Sequence, residues 1–382
     1  MIISKEEIGR RTGLIAKYLN NEGIDGFLVF DSYNIFYTCG FYHVPTERPV
    51  VQFVHSSGKS LLFVPQMEEE EASKLLVNGD IKVYFEYPGK FNILDWILKE
   101  IKDTFSSVKN IALDKADYRA YKKIQDSMEA VAVSDFIYDI RMIKSEEEIS
   151  YLKKSAIYSD FIVDYGIHIL QPGRSEMDLL SEMEKATVKK MLAELGEIIY
   201  VPGGPAGGLL PSGRRTSLPH ALPSAKIVQA SDTVLLSCGA NVKGYRTECE
   251  RTCFVGEPAQ EKIKAFEVMR KAQEMGISLM KPGITCADVD RQVLSYIRES
   301  GYGQYIKHRT GHGKGLCEHE IPWVDEGDST VLRPGMVLSS EPAIYMEGFS
   351  GFRHSDTVVV TNNEPLVLTQ YTKKLEDLVV SI

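Results

Sequence analysis

The sequence has no run approaching the roughly 18 apolar residues of a membrane span, so a helix crossing a bilayer is not expected. Positive charge is in deficit. Forty-four Lys and Arg stand against 53 Asp and Glu, a net charge of −9, which argues against nucleic acids and anionic membrane surfaces as partners. Cysteine is scarce: Cys39, Cys238, Cys249, Cys253, Cys286 and Cys317 include no Cys-x-x-Cys pair and are too sparse for a disulfide framework. A reducing, cytoplasmic setting is therefore expected. The opening residues are mixed and acidic, with no basic start leading into an apolar stretch, so no secretory leader is expected.

What is present is ordinary globular material. At 382 residues, 43% hydrophobic and 25% charged, the chain has enough apolar side chains for two or three cores. Ser4 with Glu7 three places on reads as a capping box opening a helix that ends near Gly23. Strand patterns follow at 26–30, 49–55, 60–65, 81–86 and 110–114, with helical patterns at 66–77 and 91–104. The alternation predicts a smaller N-terminal α/β domain over 1–141. A strand-like run beginning at Asp139 then gives way to a helix capped by Ser145 with Glu148, which opens a second domain, 142–382, and runs to about Leu170 before Pro172-Gly173 stops it.

The second domain repeats itself. Pro172-Gly173-x-Ser175-x-x-Asp178 recurs as Pro282-Gly283-x-Thr285-x-x-Asp288, each time between two helical patterns. Gly244-Tyr245-Arg246 is echoed by Gly351-Phe352-Arg353, each after a strand run. Two similar halves would bring residues 237–250 close to residues 341–356, and ligand sites commonly form at such seams. The loop 202–219 is dense in Gly and Pro, and its path is not readable from the sequence.

The chemistry-bearing side chains fall on that seam. His220, His308, His312 and His319 lie in Gly- or Pro-rich segments, with Glu248, Glu250 and Glu341 across the inferred interface. The order Pro-His, Leu-Leu-Ser-Cys-Gly, Gly-Tyr-Arg-Thr-Glu-Cys-Glu-Arg-Thr, His-x-x-x-His-Gly-x-Gly-x-x-x-His-Glu, Ser-Glu-Pro and Gly-Phe-Arg-His-Ser-Asp resembles the pita-bread hydrolases. These include methionine aminopeptidase, aminopeptidase P, prolidase and creatinase. The resemblance spans essentially the whole chain and implies an α/β (α+β) fold: a creatinase-type N-terminal domain followed by a pseudo-twofold catalytic domain.

Peptidases of this family are implied to hold two divalent ions with two Asp, one His and two Glu. By motif position these fall here on Ser237, Glu248, His312, Glu341 and Ser355, so two carboxylates are replaced by hydroxyls, which are poorer ligands. The departure points to the creatinase-like branch: no metal, no other cofactor, and hydrolysis of a carbon–nitrogen bond in a small carboxylate-bearing amidine, guanidine or amide. In that resemblance His220 is the general acid/base, and Glu250 and Glu341 grip a cationic substrate. Arg48, contributed by the partner of a homodimer, reaches the substrate carboxylate, with His308, His312 and His319 lining the site. Trp323 stands where creatinase places a second Arg; Arg214, Arg215 and Arg309 are alternative carboxylate clamps. A second reading keeps one ion on Glu248, His312 and Glu341 and gives an Xaa-Pro dipeptidase or aminopeptidase P-like enzyme. A third is a non-catalytic binding module.

Overall fold

The computed structural model describes residues 3–85, 87, 89, 91–199 and 203–382; Glu86 and Pro202, which end the strand pattern 81–86 and open the loop 202–219, lie outside the described residues. The chain divides into two compact units, Met1–Arg141 and Met142–Ile382. Among the described residues no helix is long and apolar enough to cross a membrane.

In the first unit, β1 (Gly26–Val29), β2 (Val51–His55), β3 (Ser60–Pro65), β4 (Asp80–Tyr84), β5 (Asn110–Leu113) and β6 (Ala130–Val133) form one mixed sheet in the order β4-β3-β2-β1-β5-β6. β1 is antiparallel to β2 and parallel to β5. Every residue of β1 is buried, as expected for a central strand covered on both faces. Helices α1 (Lys5–Glu22), α2 (Ser32–Cys39), α3 (Glu69–Leu75), α4 (Ile93–Thr104) and α5 (Tyr118–Ser127) are interleaved with the strands. Ile97, Leu98 and Ile101 of α4 pack with Phe53, Phe63 and Leu113 of the sheet. Ser4 caps α1 by accepting from the Glu7 amide, while the Glu7 carboxylate accepts from Arg10 and Arg11. The strand-like run expected from Asp139 is instead helical, Phe136–Met142 (α6), because Ile137 and Arg141, four places apart, are the buried residues on one helical face.

The second unit shows its duplication at atomic detail. α7 (Glu146–Ile169) starts with a full Ser145/Glu148 capping box and leads through a tight turn into α8 (Glu176–Leu195); α9 (Gln260–Leu279) leads likewise into α10 (Cys286–Ile297). Both turns place a glycine, Gly173 and Gly283, at φ 90°, a conformation that side chains resist. Both second helices are capped by the hydroxyl three places before an Asp amide, Ser175 to Asp178 and Thr285 to Asp288.

The strands β7 (Ala206–Leu209), β8 (Thr233–Val242), β9 (Tyr245–Val255), β10 (Gly311–Gly313), β11 (Glu320–Val324) and β12 (Val337–Ser340) belong to one curved sheet. So does β15 (Ser355–Val359), which follows the hairpin β13 (Ala343–Met346) and β14 (Ser350–Arg353); the sheet order is β11-β10-β12-β15-β9-β8-β7. α7 packs its buried Leu152, Ala156, Ile162 and Val163 into the core, and its Ser155 and Ser159 hydroxyls bond the strands at Ala240 and Thr247. The seam between halves is the β9·β15 pairing, where Ser355 lies opposite Glu250.

Candidate active site

β9 sets the site by simple alternation. Successive strand residues face opposite sides, so Glu248 and Glu250 share one face while Cys249 and Arg251 share the other. Arg251 is fully buried against Asp356 at 2.8 Å, which anchors the strand from behind. On the front, Glu250 is flanked by Ser237 of β8 and Ser355 of β15 at the same register level. β10 brings His312, the turn after β12 brings Glu341, and the end of β14 brings Arg353. Ser237, Glu248, Glu250, His312, Glu341 and Arg353 line a cleft of ≈ 950 Å³, together with His220, His308, His319 and Arg309.

Three donors converge in it. Nε2 of His312 lies 3.1 Å from Oε1 of Glu341 and 3.9 Å from Oε1 of Glu248. One ligand atom from each of these side chains falls within 4.8 Å of the others. Nδ1 of His312 donates to the Gly313 carbonyl at 2.9 Å, so Nε2, facing the carboxylates, is the ring atom that would ligate an ion on giving up its proton. That nitrogen is buried and has no hydrogen-bond partner among the described residues. Burial opposes charge on the ring, yet Glu248 and Glu341 outweigh it and hold His312 above its ordinary pKa. Glu341, though buried, is held well below the usual carboxylate range by His312. The trio is thus a place for positive charge, with the N and O donor chemistry that suits a divalent transition ion.

The rest of the cleft already has its cations. Arg353 holds Glu250 through Nε at 2.6 Å and Nη2 at 2.9 Å, and Ser237 donates to the same carboxylate. Its remaining N–H groups go to Tyr345 Oη, the Pro219 carbonyl and Ser237 Oγ. Burial pushes Glu250 up to about 7 against the pull of Arg353, and the nearby Glu341 and Glu248 add to the rise. Glu248 accepts from Ser355 Oγ at 2.7 Å and from Lys314 Nζ at 2.8 Å. His308 bonds the Arg309 carbonyl through Nδ1 and Tyr345 Oη through Nε2.

The side chains singled out in the sequence therefore separate. His312, Glu341 and Glu248 meet. Glu250 is in the cleft but is consumed by Arg353, so it cannot grip a substrate cation. His220 lines the cleft from an exposed position, and among the described residues no hydrogen bond orients its ring. His319 stacks beside His312, ring centroids 4.0 Å apart. Arg48 sits in the first unit, paired with Glu47 at 2.6 Å. Arg214 is exposed, Arg215 pairs with Glu176, and Arg309 lines the cleft, its guanidinium 4.3 Å over the Trp323 ring. Two residues escaped the sequence reading. Arg353 lies inside the Gly-Phe-Arg-His-Ser-Asp motif and Lys314 between two glycines; an ionisable residue in a Gly-rich segment is itself a signal of pairing.

Comparison with known proteins settles the class. Residues 150–362 match Metallopeptidase family M24, and residues 11–143 match the Creatinase/Prolidase N-terminal domain. The chain is 32% identical over 371 residues to an Xaa-Pro dipeptidase of Lactobacillus delbrueckii subsp. lactis, covering 95% of this chain and 97% of that protein. Among solved structures it is similar to an Xaa-Pro dipeptidase from Bacillus anthracis (TM-score 0.84, 28% identity, 98% and 100% of the two chains covered). It is also similar to a prolidase from Pyrococcus horikoshii OT3 (TM-score 0.85, 27% identity, 96% and 99% covered). The expectation of a metal-independent, creatinase-like hydrolase of amidines or guanidines is overturned by these matches, which are to dipeptidases and prolidases along their full length. The physical reason agrees: the carboxylate assigned to a substrate guanidinium, Glu250, already binds an internal one.

Proposed function

Because the chain belongs to metallopeptidase family M24 and is a hydrolase of carbon–nitrogen bonds, we propose that it cleaves Xaa-Pro dipeptides with one divalent ion held by Glu248, His312 and Glu341. The observation that carries the reading is Nε2 of His312, oriented by the Nδ1 bond to the Gly313 carbonyl and aimed between two carboxylates. Three protein donors suffice for a catalytic ion and leave positions open. Such an ion supplies Lewis acidity toward a peptide carbonyl.

The chain's own residues do the remaining work. Glu341, kept ionised by its contact with His312, supplies the negative charge that would face the ion. His308 is committed at both ring nitrogens, and we assign it to positioning Tyr345 and the Arg353 guanidinium behind the reacting bond. His220 and His319, at the cleft rim, are placed to hydrogen-bond the dipeptide. Arg309, stiffened by its stack on Trp323 and by its Nε bond to the Gly311 carbonyl at 3.1 Å, is the group we assign to the substrate's C-terminal carboxylate. The reading includes a homodimer in which Arg48 of one protomer reaches the other's cleft.

The test is hydrolysis of Ala-Pro and Leu-Pro, with Ala-Gly as control, by protein supplied with Mn²⁺ and by protein stripped with a chelator. Turnover of the Xaa-Pro dipeptides that disappears on chelation, and falls about a hundredfold or more in His312→Ala, is expected. Equal turnover after chelation would sink the reading.

A further inference from the structure

Lys314 is fully buried, behind the cleft and beside one of its carboxylates, Glu248. Its ammonium bonds Glu248 Oε2 at 2.8 Å and the Glu318 carbonyl at 2.9 Å, with Glu318 Oε2 at 3.4 Å. Burying an ammonium costs several kcal/mol unless it is paired, so this geometry is sustained by the Glu248 carboxylate. Glu248 is at the same time one of the three donors of the trio with His312 and Glu341. One of its oxygens therefore serves the lysine, and the other, already accepting from Ser355, faces Nε2 of His312.

The charges can be counted. Around His312 the carboxylates are Glu248, Glu250 and Glu341, and Lys314 and Arg353 pair with two of them, while Glu318, beside Lys314, is matched by Arg246. One unit of negative charge remains. A single divalent ion turns that one negative unit into one positive unit, whereas two would leave a large excess of positive charge in a partly buried site flanked by the neutral hydroxyls of Ser237 and Ser355.

We infer that Lys314 is a built-in counter-cation of the metal centre: by neutralising Glu248 it limits the centre to one divalent ion and weakens the hold on that ion. The inference rests on the reading that Glu248, His312 and Glu341 bind an ion. It acts as a positioning and charge-setting role, since the ammonium touches a ligand and not the substrate.

The test reads metal binding without turnover. Calorimetric titration of chelator-stripped full-length protein with MnCl₂ is expected to give about one ion per chain. Lys314→Met and Lys314→Gln are expected to keep that stoichiometry and bind about tenfold tighter or more, and Lys314→Arg to match the parent. Thermal melts establish that each variant is folded, and the Gln variant, which keeps a donor toward the Glu318 carbonyl, stands if the Met variant is not. Two ions in the parent, no binding in the parent, or no tightening in either neutral variant would overturn the inference. The outcomes separate from the peptidase reading, which fails on dipeptide turnover even when the titrations behave as described.

Discussion

At the scale of single residues, the cleft distinguishes groups that are committed from groups that are available. Arg309 is available, and Arg309→Met is expected to raise KM for Ala-Pro about tenfold to a hundredfold with a small change in kcat, because a lost carboxylate contact is felt equally in ground and transition states. Steady-state kinetics on the parent and variant check this. His43 of the first unit gives a prediction of another kind. Burial lowers its pKa from 6.5 to about 4, with Asp31 opposing. Between those values the unfolded chain binds a proton that the folded one refuses, so stability present above pH 6.5 is lost as the pH falls toward 4, by about 3 kcal/mol. Urea denaturation at pH 7 and pH 4.5 reads it, and His43→Phe is expected to flatten the difference. The sequence displayed His312, Glu341 and Glu248 through their motifs. It did not display what Lys314 and Arg353 do, because each meets a carboxylate far away in the chain, Glu248 and Glu250, and pairing across strands leaves no mark on local spacing.

At the scale of elements, the segment Gly311-His312-Gly313 shows why two glycines bracket the histidine. A Cβ on Gly311 would lie 2.1 Å from the Ser339 carbonyl oxygen, and one on Gly313 would lie 2.3 Å from that of Ile321, so only hydrogens let β10 approach its neighbours closely. Gly311→Ala is expected to cost about 1–3 kcal/mol or more and to loosen Mn²⁺ binding, checked by thermal melting and titration of the same sample. The helix caps are a gentler test of the duplication. Ser175→Ala and Thr285→Ala are each expected to cost about 1 kcal/mol, and because they share no hydrogen-bond partner the double variant should lose the sum. These caps were readable from the repeat itself, as was the Ser145/Glu148 start of α7. The helix Phe136–Met142 was not, since seven residues with several β-branched or aromatic neighbours carry both periodicities.

At the scale of the whole molecule, the order of elements was legible because each half closes on local signals, while the chemistry was misjudged from the two serines alone. Ser237 and Ser355 removed two carboxylates and suggested a metal-free hydrolase; the surviving trio, and the full-length similarity to dipeptidases and prolidases, point the other way. Ion binding confined to the folded state should raise Tm. Saturating Mn²⁺ at about a hundred times Kd is expected to stabilise the protein by about 2.7 kcal/mol, seen as an upward shift in calorimetry that chelator reverses. Sedimentation is expected to find a dimer, and Arg48→Ala to leave that dimer intact while lowering turnover.

Arg353 spends all five of its N–H groups inside the protein, on Glu250, Ser237, Tyr345 and the Pro219 carbonyl. The back wall of the cleft is in effect pre-loaded with the ligand that an amidine-cleaving relative would have to admit. Small guanidinium compounds such as free arginine should consequently be poor competitors for this enzyme, and the strand that bears Glu250 should stay rigid whether or not a dipeptide is present.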